Sequence, residues 1–129
     1  MSILPPPLIF PDIEAMLRTY LEDVLDVPVS TQVPNPRPSE FVRIRRTGGS
    51  RVRRTTDQSM LTVECWSTSS VDASNLARLV RAHVNATPGR VPEVKRAQEF
   101  SGPAYLPDPD SQQARYTWTV SLDVHGSDL

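Results

Sequence analysis

The chain has 129 residues, a formal net charge of −1 and a single cysteine, Cys65. That length suits one domain with one core, and a lone cysteine excludes an internal disulfide framework. No window approaches the roughly 18 consecutive apolar residues that span a bilayer, which argues against a membrane partner. The opening Met1-Ser2-Ile3-Leu4-Pro5-Pro6-Pro7 lacks the basic segment and apolar run of a secretory signal, so the expectation is a protein kept in the cytoplasm until it is assembled.

The near-zero net charge hides an uneven distribution. Of the 14 basic residues only Lys95 is lysine, and six arginines fall within 43–54: Arg43, Arg45, Arg46, Arg51, Arg53 and Arg54. Arginine presents a planar, permanently charged fork that matches carboxylate and phosphate, so this run is the first candidate surface.

Residues 1–11 read as an extended, proline-rich arm, and 12–129 as a single α+β domain. Pro11-Asp12 starts a helix, with Asp12 near the positive end of its dipole. Ile13, Met16, Leu17, Tyr20, Leu21, Val24 and Leu25 then recur at helical spacing, and Pro28 ends the pattern. Val29–Val33 reads as a short strand. Pro34, Pro36 and Pro38 cannot donate to a central ladder and mark an exposed linker. Glu40–Arg46 alternates, with Val42 and Ile44 on one face and Arg43 and Arg45 on the other. Gly48-Gly49 is a turn signal and Gln58–Trp66 returns, which predicts a long arginine-rich hairpin with its tip over 47–57.

Ser67-Thr68-Ser69-Ser70 supplies N-cap hydroxyls for a second helix. Ala73, Leu76, Ala77, Val80 and Val84 form its apolar side, and Pro88-Gly89 stops it. Val91–Phe100 is a further strand, starting at an edge because of Pro92. Gly102–Asp110 reads as a loop. In the last strand Tyr116, Trp118, Val120, Leu122 and Val124 alternate with Arg115, Thr117, Thr119, Ser121 and Asp123, so one face is buried and the other half polar. The fold class is α+β: a mostly antiparallel sheet of four to five strands packed against two helices.

Residues suited to catalysis are sparse. His83 and His125 have no metal-ligand spacing with each other or with Cys65. A helical histidine beside the core is ordinarily structural, and a cysteine in an apolar strand behaves as a small hydrophobe. Asp108 and Asp110 resemble a carboxylate pair, but Asp-Pro-Asp in a proline-rich loop is ordinary turn chemistry. Gly48-Gly49 precedes neither a lysine nor a helix, so no phosphate cradle forms. The expectation is no enzyme, no catalytic residue, no metal and no cofactor.

A strand ending Glu64-Cys65-Trp66-Ser67 runs into the helix Val71–Val80. A Pro-Gly stop, the loop Gly102–Asp110 and the strand opened by Arg115-Tyr116 follow. In order and spacing these features resemble the tail terminator (tail-completion) proteins of long flexible-tailed bacteriophages, especially those infecting actinobacteria. The resemblance runs from Asp12 to Gly126. It implies a structural virion protein at the tail–neck junction: a homo-oligomeric ring, usually a hexamer, that caps the tail tube, stops its polymerisation and offers a head-joining surface. Implied partners are the tail tube protein and the head–tail connector or stopper, with genomic DNA passing through the lumen without specific binding.

On that reading Arg45, Arg46, Arg51, Arg53 and Arg54 are candidates for docking on the tube or neck. Charge-assisted arginine–carboxylate bonds would fix the register between stacked rings. Phe41 and Trp66 fall on the face opposite Val42, Ile44 and Cys65, and are candidates for the inter-subunit seam, together with Leu8 and Phe10 of the arm. Two alternatives stand beside it. One is a head-side neck protein, completion or stopper. The other is a nucleic-acid-binding module using Arg43–Arg54, a stretch without the interleaved aromatics that stack on bases.

Overall fold

The computed structural model describes residues 3–129, so Met1 and Ser2 of the expected arm lie outside the described residues. The first half of the chain gives β1 (Leu8–Ile9), α1 (Ile13–Val24), β2 (Val29–Ser30), β3 (Phe41–Arg53) and β4 (Thr56–Ser67). The second gives α2 (Ser70–Asn85), β5 (Val94–Tyr105), β6 (Ala114–His125) and β7 (Ser127–Asp128). Five strands form one sheet in the order β2-β3-β4-β6-β5, antiparallel throughout except for the β2–β3 pair. The chain is α+β, as its pattern of alternation and helical spacing predicts.

Both helices begin at side-chain caps that satisfy otherwise unpaired backbone donors. Asp12 accepts from the Ala15 amide at 3.1 Å, and Ser69 accepts from the Asp72 amide at 3.1 Å. α1 buries Ile13, Leu17 and Leu21, while α2 buries Ala73, Leu76, Ala77, Val80 and Val84. The predicted α1 stripe is narrower than its spacing suggests: Met16 and Tyr20 are half-buried and Val24 is exposed. α1 lies over β3, and α2 lies over β4, β6 and β5. Beneath them sit Val42 and Ile44 of β3, Leu61, Val63 and Cys65 of β4, and Trp118, Val120, Leu122 and Val124 of β6. The tyrosine hydroxyl of Tyr20 reaches across to the His83 carbonyl at 3.1 Å and ties the helices together.

Three boundaries differ from the sequence expectation. The Val29–Val33 strand shrinks to two residues running parallel to β3, with Val29 opposite Val42. β5 starts later, because Val91 and Val94 close a turn (Val91 N to Thr87 O, 2.8 Å; Val94 N to Val91 O, 3.0 Å). It then runs on through Gly102-Pro103 to Tyr105, with a register shift between Ser101 and Ala104. An edge strand tolerates a proline there because its outer side needs no donor.

The third difference is the reversal of the hairpin. β3 continues through Gly48-Gly49, and the chain turns at Arg54-Thr55 instead. The glycines lie beside a bulge between Arg46 and Gly48, where Thr47 is the extra residue, so they coil the strand rather than end it. Gly49 has φ +97°, and a Cβ there would stand 2.0 Å from the Gln58 carbonyl oxygen of the paired strand. Glycine is therefore required by conformation and by space. Gly49→Ala is expected to lower the unfolding free energy by about 2 kcal/mol or more in urea titrations. An unchanged midpoint would contradict the close approach of β3 and β4.

Candidate assembly surface

With the helices on one side, the opposite face of the sheet carries the alternate residues of every strand. Register places Phe41, Trp66 and Arg115 in one row, Arg43, Glu64 and Thr117 in the next, and Arg45, Thr62 and Thr119 in the third. Phe41 stacks on Trp66 with ring centroids 4.5 Å apart and planes 13° from parallel. The guanidinium carbons of Arg43 and Arg115 stand 5.5 and 5.2 Å from the Trp66 ring centroid, within cation–π range. Both arginines also grip Glu64: Arg43 Nε to Oε1 at 2.5 Å and Arg115 Nη1 to Oε2 at 3.1 Å. Arg45 Nε approaches the same carboxylate at 3.6 Å. One carboxylate, 3% exposed, thus anchors three guanidiniums, and the surplus of positive charge faces outward.

The predicted seam residues are placed by this cluster. Phe41 is 0% and Trp66 1% exposed in the single chain, so what a neighbour meets there is guanidinium and not ring. Leu8 lies in β1, paired with β7 (Leu8 opposite Asp128). Phe10 stands under Arg51, whose guanidinium carbon is 5.7 Å from its ring centroid. Both residues are half-buried.

The five predicted docking arginines do not form one free cluster. Arg46 makes a two-pronged bond to Asp57 at 2.7 and 3.0 Å, and its amide donates to Glu14 at 2.8 Å. The hydrogen bonds from Arg46 hold the Asp57 carboxyl below its ordinary range, against the opposing effect of burial. Arg51 donates to the carbonyls of Arg53 and Arg54, and Arg54 donates to the Pro6 carbonyl at 3.2 Å. These bonds stiffen the hairpin end and tie it to the arm. Arg45 is half-exposed beside Glu64. Arg53 is exposed, and among the described residues its guanidinium has no partner.

Toward the other end of this face, Met60, Gln58, Ser121, Gln98, Phe100 and Gly49 line a cavity of about 230 Å³. Phe100 is 72% exposed. Among the described residues the hydroxyl of Ser121, beside this cavity, and that of Thr117, in the Glu64 row, have no hydrogen-bond partner, and neither does the Trp66 indole nitrogen. The Trp118 indole nitrogen, on the helix-covered face, is unpaired among the described residues as well.

The Asp108–Asp110 loop is turn chemistry. Asp108 accepts from the Asp110 amide at 3.0 Å, the Ser111 hydroxyl at 2.9 Å and Arg37 Nη1 at 2.7 Å. The amide bond first, and Arg37 second, bring its carboxyl down to about 2. Through Arg37 the proline linker before β3 is locked to the loop before β6. Cys65 is buried, and that burial drives its thiol far above the usual range. His83 contributes its backbone carbonyl to Tyr20. Among the described residues no group of three or more His, Cys, Asp or Glu side chains is placed to hold a metal ion.

Sequence reasoning missed Glu64, Arg115 and Arg37. Alternation along β4 already puts Glu64 on the face of Trp66. Only the pairing of β4 with both β3 and β6 shows that three arginines converge on it.

This is a structural surface of salt bridges, stacked rings and unfinished hydrogen bonds, carried on a two-layer α+β domain. The family model for phage tail termination proteins matches residues 9–125, so the chain belongs to that family. It has the structural, tail-completion role of a phage virion protein that associates with tail proteins. No curated protein matches the chain.

Two outcomes follow from this geometry. Removing one partner of a buried ion pair leaves uncompensated charge, whereas an exposed partner is worth little. Glu64→Ala is expected to cost about 3 kcal/mol in denaturant unfolding. Arg45→Ala is expected to cost less than about 1 kcal/mol, and equal losses would contradict the central role of Glu64. For Asp108, a folded-state value of about 2 lies below the ordinary 3.8, so its contribution to stability is present above about pH 4 and disappears as the pH falls through 2. Asp57 and Glu99 are lowered in the same direction. Asp108→Asn is expected to flatten the acid limb of thermal unfolding against pH, and an acid limb identical to the wild type would count against the Arg37–Asp108 tie.

Proposed function

We propose that this chain forms a ring that caps the end of the phage tail tube, stops its polymerisation and provides the surface to which the head is joined. The observation that carries the reading is the family match across residues 9–125, from β1 to the end of β6. The sheet face without helices supports it. That face offers guanidiniums around Glu64, an exposed Phe100 and buried hydroxyls without partners, all of which a neighbouring subunit or tube ring can complete.

In this reading residues 12–129 are the ring-building domain and the arm over 1–11 is a strap. Phe41 and Trp66 shape the seam from beneath, by fixing where Arg43 and Arg115 stand. Leu8 and Phe10 serve the seam by seating the arm against the hairpin end. Of the docking arginines, Arg45 and Arg53 are the two with charge to spare. Arg46, Arg51 and Arg54 hold the hairpin in shape. DNA crosses the lumen without a dedicated site.

Producing phage tails without this chain, and measuring them by electron microscopy, tests the reading. Overlong tubes of irregular length, unattached to heads, are expected. Tails of normal length beside heads that leak DNA would instead put the chain on the head side of the neck.

A further inference from the structure

The hairpin end carries arginines and an exposed valine, and a groove on the helix side carries carboxylates and apolar lining. At the hairpin end a second register shift lies between Arg51 and Arg53, and Val52 is the extra residue. A bulge turns its side chain out of the ladder, and Val52 is 46% exposed. The Arg51 bonds to the carbonyls of Arg53 and Arg54, and the Arg54 bond to Pro6, hold this end in one shape. An exposed aliphatic residue therefore stands beside an arginine with no partner among the described residues, on a preorganised loop. Preorganisation lowers the entropic cost of docking.

The groove runs between α1 and the turn before β5 and holds about 440 Å³. Met16, Tyr20 and Val91 supply apolar lining, and Asp23, Glu93 and Arg90 bring the charges, two acids against one base. Asp23 and Glu93 have no side-chain partner among the described residues. α1 has no basic residue in its last turn, and Asp23 sits there at the negative end of the helix dipole. A carboxylate so placed is repelled by its own helix, and a cation supplied from outside relieves it.

We propose that the groove of one subunit receives the hairpin end of a second copy of this chain, with Val52 entering between Met16 and Val91 and Arg53 meeting Asp23 and Glu93. The contact is heterologous, since hairpin and groove are different surfaces of one chain, and such contacts give a ring where the rotation per subunit closes. This inference rests on the ring reading above and names its subunit contact.

Charge reversal tests it on the full-length protein by sedimentation velocity up to the solubility limit. Wild type is expected to associate. Arg53→Glu alone and Asp23→Lys alone are each expected to weaken association by about tenfold or more, through like charges across the contact. Mixing the two variants is expected to restore it, because each hairpin then meets a groove of opposite charge. Circular dichroism and thermal unfolding of each variant show that the subunit remains folded. Three results overturn the contact: a wild type that stays monomeric, single variants that associate normally, or a mixture that is not rescued. Association that appears only with added tail tube protein also overturns it, and assigns the groove to the tube. The ring reading is judged separately, by tail length without the chain: normal tails overturn it, whatever the contact does.

Discussion

A five-stranded sheet has two faces, and this chain has apolar helix surface for only one. Val42, Ile44, Leu61, Val63, Trp118, Val120 and Leu122 take that face and are fully enclosed by α1 and α2. The central strand β4 is paired with β3 and β6 along its whole length, and on its other face Glu64 and Trp66 are buried while Gln58, Met60 and Thr62 are half-buried. At one end this burial comes from Phe41 stacked on Trp66, and from Glu64 neutralising guanidiniums that cover the rings. A buried carboxylate is tolerable only with such partners, so the position of Glu64 dictates that Arg43 and Arg115 lie across it. Toward the other end no comparable cover exists. There Ser121 keeps an unpaired hydroxyl among the described residues, and Phe100 projects into solvent.

The same constraint sorts the arginines. Those committed within the chain do architectural work: Arg46 clamps Asp57 across the hairpin, Arg37 joins two loops through Asp108, and Arg81 binds α2 to β5 through Glu99. Among the described residues, 7 of the 14 basic side chains and 5 of the 15 acids are in ion pairs, and the other charges stand on the surface. A tail-completion protein has neighbours in the tail proteins with which its family associates.

Much of the fold was legible from the sequence because it rests on periodicity. The α2 apolar residues and the alternation of Trp118, Val120, Leu122 and Val124 emerge from spacing alone, and each is buried as that spacing requires. The hairpin turn was not legible. Gly48-Gly49 carries a turn signal, yet what fixes those glycines is the approach of the Gln58 carbonyl, a contact between residues on different strands. The assembly surface was half legible for the same reason. Arg43, Arg45 and Trp66 stand out in the sequence, but their convergence on Glu64 and Arg115 depends on strand order. Likewise, alternation puts Phe41 and Trp66 on the face away from Val42, Ile44 and Cys65, but only the pairing of β4 with β6 brings Arg115 over the ring.

The central claim is that this chain sits at the end of the tail tube, as a ring, between tube and head. Cryo-electron microscopy of intact virions, with the chain located by its own sheet and helices in the density, tests that most directly. The account predicts a single ring of copies between the last tube ring and the neck, with the helix-free sheet face against a neighbour. Copies spread along the tube, or a helix-free face left open to solvent, would contradict it.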